Sequence, residues 1–328
     1  MHLADYVVSY SLQINNRCLR YLAECDLHGG LLAVSDSGEL MASESYTVFT
    51  ESLIARDTRR LASMWSLMRP GWKGVTPSLA DHGVALLEAA NALADGASNR
   101  RLAFRLAGIA GTDDEAQAIL KIARKFPGDV AMGWESLNEI FTQDSENWRN
   151  SEDFRAIDDN ILLNRIARRY RKSYRLAALI PVDDLAGWLD KHGHNLHRWV
   201  QLCAHQLELL RPGLSDSGKE CLWYLDKMSD SLRTREGLAR LSEAVSNLKV
   251  KKSAAKLAQL HIDQQIGKMD KRIKHLAKGC FSTKPKAFAQ ILVPAVTALG
   301  LRDVSLMKKV GPVLGSVPEQ ASDNEYGS

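Results

Sequence analysis

Apolar positions recur along this chain at helical spacing. In His194–Gly213, Leu196, Val200, Cys203, Leu207 and Leu210 step by four, three, four and three. At about 100° per residue they form one apolar stripe. His194, His197, Arg198, Gln201, His205 and Glu208 fall on the opposite side. Pro212-Gly213 ends the run, since proline lacks an N–H and glycine tolerates a left-handed exit.

The same layout occurs 142 positions earlier (194 − 52), in Ser52–Gly71. Ile54, Thr58, Leu61, Trp65 and Met68 occupy the apolar slots, and Arg69-Pro70-Gly71 aligns with Arg211-Pro212-Gly213 without a gap. A shared tripeptide with a shared apolar phase upstream points to an internal duplication.

The periodicity predicts further helices. They cover 3–25, 50–69, 79–95, 99–109, 113–126, 129–142 and 160–180. Then come 182–191, 194–211, 215–230, 232–248, 252–277, 286–299 and 302–311. Thr112-Asp-Asp-Glu115 reads as an N-terminal capping signal. Residues 31–45 read as a small hairpin or an irregular loop, and the polar tail from Ser316 as disordered. No alternating segment finds a strand partner, so the class is all-α. The acidic segment Gln143–Asp159 divides the chain into two similar halves. A length of 328 residues is ample for a sizeable core.

Composition adds little, but charge placement adds more. The net charge is only +4. Within 160–180, however, Arg165, Arg168, Arg169 and Lys172 lie at i, i+3, i+4 and i+7, opposite Leu163, Ala167, Tyr170 and Tyr174. Like charges on one face repel, so the stripe is either a solvated face offset by Glu152–Asp159 or a track for a polyanion. Guanidinium suits phosphate because its fork donates two parallel hydrogen bonds. Smaller basic runs recur at Arg56–Arg60, Arg100–Arg105, Lys121–Lys125, Lys249–Lys256 and Lys268–Lys274.

Other chemistry is sparsely marked. Cys18, Cys25, Cys203, Cys221 and Cys280 lack CxxC spacing, which favours free thiols and a reducing cytosol. No signal peptide and no membrane-spanning run is expected. His192, His194 and His197 could serve a metal, but no second ligand motif accompanies them, so they read as basic surface or a helix start. Phosphate-loop, dinucleotide and nucleophile-elbow motifs are absent, and neither catalytic residues nor a cofactor is expected. Seven tryptophans are scattered and read mainly as packing residues.

The helix at 194–213 resembles the CHAD family, the conserved histidine α-helical domain. Its second-half signature runs approximately His-x-x-Arg-Lys-x-x-Lys-x-x-Arg-Tyr before a leucine-rich turn. His194 matches the histidine, Arg198 the first lysine, and Gln206–Leu210 the leucine-rich turn. Arg169–Tyr174 resembles the basic helix before the signature, and Ala277–Phe281 with Lys284–Ala289 resembles the closing segment. His197, Gln201, Ala204 and His205 depart from the signature, as do Ser52, Ala55 and Ala62 in the first half.

The resemblance implies two pseudo-repeated helical bundles in one body. Residues 1–45 would lead in, 46–300 would form the domain (46–150 and 151–300), and 301–328 would form a last helix and tail. It further implies non-catalytic binding of inorganic polyphosphate, or another polyanion, in a basic channel. Arg56, Arg59, Arg165, Arg168, Arg169, Lys172, His194 and Arg198 would line it. A cytoplasmic location at polyphosphate granules would follow. The residues themselves also leave open a helical scaffold for protein partners and a metal-dependent phosphohydrolase.

Overall fold

The computed structural model describes residues 3–27, 40–68, 96, 99–123, 158–181, 183–247 and 252–300. All regular structure in these residues is helical. In chain order the helices are α1 (Leu3–Leu27), α2 (Leu40–Met68), α3 (99–107), α4 (Asp113–Ala123) and α5 (Asp159–Ala177). They continue with α6 (Leu185–Leu209), a 3₁₀ turn (Arg211–Gly213), α7 (Asp216–Ser246), α8 (Lys252–Cys280) and α9 (Pro285–Ala298). The predicted helices 79–95, 129–142 and 302–311, the boundary segment up to 157 and the tail lie outside the described residues.

Three boundaries differ from the sequence reading. Helix α2 begins at Leu40, so residues 40–45 are helical rather than part of a hairpin or loop. The predicted helices 182–191 and 194–211 form the single helix α6, with Gly193 buried inside it. The predicted helices 215–230 and 232–248 likewise form the single helix α7. Packing on neighbouring helices outweighs the weak propensity cost of a mid-helix glycine or serine.

Side chains set the helix starts. Asp158 caps α5 at the Asn160 N–H, Asp184 caps α6 at the Gly187 N–H, and Ser215 caps α7 at the Gly218 N–H. At α4 the Thr112 hydroxyl accepts from the Glu115 N–H at 3.2 Å, and Glu115 reaches back to the Gly111 N–H at 3.0 Å. The predicted capping signal therefore acts as one, with the return bond falling one residue early. At the ends, the glycines differ in role. Gly300, with φ 65°, supplies the left-handed exit of α9. Gly213 does not have positive φ. It is needed for space, since a Cβ there would lie 2.1 Å from the Ala295 carbonyl oxygen of α9.

The helices enclose two apolar cores. The larger joins α1, α2, α5, α6, the first half of α7, the last turns of α8, and α9. Both predicted stripes face it: Leu196, Val200, Cys203, Leu207 and Leu210 are fully buried, as are Ile54, Thr58, Leu61, Trp65 and Met68 to within a few per cent. The smaller core joins Ala103 and Leu106 of α3, Ile119 and Ile122 of α4, Leu238, Leu241 and Val245 of α7, and Ala258 and Ile262 of α8. Each core therefore mixes residues from before and after position 150. Antiparallel α7 and α8 form the most extensive helix pair and run through both cores. Arg235, itself buried, fastens this pair to α6. It pairs with Asp190 at 2.7 Å and Asp270 at 3.2 Å, and donates to the Ala186 carbonyl at 3.3 Å.

Tyr170 is the aromatic centre of the larger core. Its ring stacks on Phe288 at 3.9 Å, and its hydroxyl lies 3.0 Å from the Cys280 carbonyl and 2.6 Å from that of Thr283. Its single hydrogen is thus shared between carbonyls at and just beyond the end of α8, which have no partner within the helix. Burial drives its phenol pKa upward, so it remains a donor at all ordinary pH. Tyr170→Phe should lower stability by about 1–3 kcal/mol, because the end of α8 loses the one phenolic donor that two carbonyls share. Urea unfolding followed by circular dichroism measures this; no loss would show that solvent replaces the hydroxyl.

The thiols of Cys18, Cys203, Cys221 and Cys280 are free and buried. Burial pushes Cys18 and Cys221 up to about 12, and Cys203 and Cys280 well above the ordinary thiol value. Thiolate is the reactive form. These four should react with Ellman's reagent at pH 8 only after denaturant is added.

Candidate functional site

The basic stripe of α5 does not act as a unit. Arg165 donates to the Ser66 carbonyl at 2.9 Å, within the last turn of α2. There it satisfies a carbonyl at the negative end of the helix dipole, a contact worth about 0.3–1 kcal/mol. Arg169 donates to the Ser66 hydroxyl at 3.3 Å. Arg168 and Lys172 are exposed.

The cations of α5 and α6 meet around Trp199. The Arg169 guanidinium lies 5.0 Å from the indole centroid, the Lys172 ammonium 4.2 Å, and the Arg198 guanidinium 5.4 Å. Each cation gains from the indole quadrupole, about 0.5–1 kcal/mol at an exposed site. Three like charges around one indole concentrate positive potential there. Arg168 is one residue away on the same helix, and His194 is about one turn before Arg198 on α6. Arg169, Lys172 and Arg198 thus bring α5 and α6 together over one indole.

The α2 arginines serve the interior instead. Asp57 is fully buried and pairs with Arg17, Arg56 and Arg60. Arg56 lies 3.5 Å from it and remains 45 % exposed. Arg59 is only 7 % exposed, which removes it from a solvent-facing channel. Of the eight predicted lining residues, the structure brings three, Arg169, Lys172 and Arg198, to Trp199, while Arg168 is exposed on α5 and His194 stands by Glu236. Arg165 is directed to the α2 end, while Arg56 and Arg59 sit in the α2 ion-pair region.

The histidines also take structural partners. His194 is 77 % exposed and stands 3.7 Å from Glu236 of α7. His197 lies 3.0 Å from the other Glu236 oxygen. Burial, with Arg233 and Arg59 nearby, lowers the His197 pKa despite the Glu236 contact, and we take it as neutral. Among the described residues no three His, Cys, Asp or Glu side chains converge as a metal site would require. No described helix is long and apolar enough to cross a membrane.

His205 corrects the sequence reading most. It was expected on the polar face but is 7 % exposed, and its neighbour Gln206 is fully buried. The reason is a second packing face, because α6 meets α2 as well as α5 and α7. Ser63 Oγ donates to the Arg59 carbonyl at 2.8 Å, which uses its one hydrogen. His205 Nδ1, 3.0 Å from Ser63 Oγ, must therefore donate. Gln206 Nε2 donates to the Ser63 carbonyl at 3.1 Å. Ser63 and His205 are 142 residues apart, the same offset as the two Arg-Pro-Gly runs at 69–71 and 211–213. Matching positions thus meet where α2 and α6 cross.

Sequence reasoning also missed Trp199, Asp57, Glu236 and Arg235. For Trp199 a signal existed, since it directly follows Arg198 at the edge of the polar face. No family model matches the chain, no characterised protein matches it significantly in sequence, and no solved structure matches it significantly in fold.

Burial, and then the charges of Arg60, Arg233 and Arg59, hold the His205 pKa well below its ordinary value. Only the unfolded chain then binds this proton near pH 6. The His205 contribution to stability is complete above about 6.5 and is lost as pH falls towards the depressed folded value. His205→Asn keeps an N–H donor but cannot titrate. It should show a shallower loss of urea stability between pH 7 and pH 5, by up to about 1.4 kcal/mol per pH unit. Equal slopes in the two proteins would show that His205 binds a proton as readily folded as unfolded.

Proposed function

We propose that the chain binds inorganic polyphosphate, or a similar flexible linear polyanion, on the surface formed by α5 and α6. The observation that carries this reading is the convergence of Arg169, Lys172 and Arg198 on Trp199, with Arg168 exposed beside them. The resemblance of His194–Gly213 to the CHAD signature supports the same ligand. A phosphate chain needs only a row of cations. It needs neither base-stacking groups nor a catalytic base, so the proposed role is binding without turnover. Such a protein would reside in the cytoplasm at polyphosphate granules.

A helical scaffold for protein partners is the second reading. It is favoured by Leu257 and Leu260, three residues apart on α8 and each 47 % exposed or more. Large exposed apolar side chains that cluster mark interaction surfaces more often than scattered ones do.

Long-chain polyphosphate should bind, and its affinity should fall linearly in log–log form between about 50 and 200 mM salt, through counterion release. Each lost phosphate contact should reduce the slope by about 0.7, taking the single-strand value. The triple variant Arg168→Ala, Lys172→Ala, Arg198→Ala should therefore bind more weakly, with a slope reduced by about 2. Fluorescence anisotropy with labelled polyphosphate gives both quantities. Absence of binding at low salt, or an unchanged slope in the variant, rejects the proposal.

A further inference from the structure

Five exposed cations lie over the last turns of α8 and the start of α9: Lys271, Arg272, Lys278, Lys284 and Lys286. None of them is ion-paired among the described residues. Lys278 and Lys284 flank a tight turn, which the Tyr170 hydroxyl holds by the Cys280 and Thr283 carbonyls. Lys284 and Lys286 stand at the N-terminus of α9, whose first turn holds no carboxylate. They concentrate positive potential where the helix dipole is already positive. The segments that meet here carry fewer exposed carboxylates, Asp183, Asp184 and Glu220, and Asp184 serves as the cap of α6.

Exposed apolar side chains stand beside these cations. After α5 the chain turns through Leu179 and Ile180, whose N–H groups donate to the Leu176 and Ala177 carbonyls at 3.0 and 3.1 Å. This bonded turn holds Leu179 in water, 66 % exposed. Its neighbours Ala178, Ile180 and Pro181 line an open, mostly apolar groove with Ala277, Lys278 and Phe281. On another side of α8, Gly279 leaves room for the Tyr224 ring of α7, which a Cβ would strike. Trp223 stands edge-on to Tyr224, with ring centroids 5.0 Å apart, and is 52 % exposed. One exposed leucine is ordinary. A leucine and a tryptophan beside one cation cluster point to a partner that takes both kinds of group.

The choice of partner follows from that mixture. A flexible polyanion would meet the cations and leave Leu179 and the groove in water. A second copy of the chain, meeting face to face, would set cations against cations. The boundary of an anionic bilayer accepts both kinds of group. Lysine stems lie along apolar surface while their ammonium groups stay among the headgroups. Tryptophan suits the same depth, because its ring is apolar and its N–H is polar. Clusters of roughly four to eight Lys and Arg are attracted to anionic lipid.

We propose that the end of α8, with the turn after α5 and the start of α9, docks peripherally on an anionic lipid bilayer. Leu179 and Trp223 enter the headgroup boundary, and the five cations face the lipid charges. This contact is independent of the polyphosphate reading.

The test is co-sedimentation of the full chain with vesicles of phosphatidylcholine and phosphatidylserine, beside vesicles of phosphatidylcholine alone. The anionic vesicles should bind the chain at least about tenfold more tightly, and rising salt should weaken them. Lys278→Ala with Lys284→Ala should weaken binding about twentyfold, at about fivefold per lysine. Leu179→Ser should weaken it about tenfold. Brominated lipid should quench tryptophan fluorescence, and Trp223→Phe should remove that quenching. All four positions are exposed, and circular dichroism verifies that each variant is folded. The proposal is overturned if anionic vesicles do not bind, if neutral vesicles bind equally, or if Leu179→Ser binds as wild type does. Without vesicle binding, long-chain polyphosphate bound through Lys278 and Lys284 would assign this end to a polyanion, and an acidic amphipathic peptide bound there would assign it to a protein. The variant Arg168→Ala, Lys172→Ala, Arg198→Ala should lose polyphosphate affinity and keep vesicle binding. If that variant loses the vesicles while the Lys278 and Lys284 pair keeps them, the proposal is also overturned.

Discussion

A buried histidine among three arginines can be held only as the neutral ring, and much of the structure follows from that constraint. His205 lies near Arg59, Arg60 and Arg233, and a positive imidazolium there would add charge repulsion to desolvation. Neutrality leaves one N–H, and the Ser63 hydrogen bond to the Arg59 carbonyl places it on Nδ1. With Gln206 bonded to the Ser63 carbonyl, α2 is fixed against α6 in both position and rotation. The α2 end then presents Ser66 to α5, and Arg165 and Arg169 bond there. Arg169 in turn stands over Trp199. The exposed cation cluster is thus the outer end of a chain of contacts that begins in the core.

The second half of the architecture depends on the α7–α8 pair. These helices have 31 and 29 residues, long enough to serve two cores in succession. At about 1.5 Å per residue, each extends over roughly 45 Å. A pair of that length needs fixing against sliding. Arg235 supplies it by joining α6, α7 and α8 through Asp190, Asp270 and the Ala186 carbonyl. Burial raises the Asp270 pKa and Arg235 offsets part of that rise, so the pair is stable only as a complete ion pair. The smaller core near α3 and α4 contains fewer large side chains and rests on the same two helices.

Periodicity carried the readable part of this fold. Stripes such as Leu196–Leu210 and Ile54–Met68 follow a 3.6-residue repeat because each helix has one deep apolar face, and all of them are buried. What periodicity did not reveal is a helix packed on two sides. His205 and Gln206 look polar in a list of residues, yet they face α2 and are satisfied there. Helix joins were also illegible. Gly193 resembles a break, but neighbours on several faces of α6 keep the helix intact. For the candidate site, spacing put Arg169 and Lys172 on one stripe, and both stand over Trp199. It could not assign Arg165 to the α2 carbonyl or Arg59 to the interior, because both depend on contacts more than 90 residues away or on burial.

On the proposed surface around Trp199, charge would do the binding. Around Trp199 the groups are cations and one indole. The attraction there comes from charge density, is screened by salt, and is indifferent to what the anion carries beyond its phosphates. The same helix that carries Arg169 and Lys172 also carries Tyr170, which closes the end of α8. Rotation of α5 about its axis would therefore disturb the core and the Trp199 surface together.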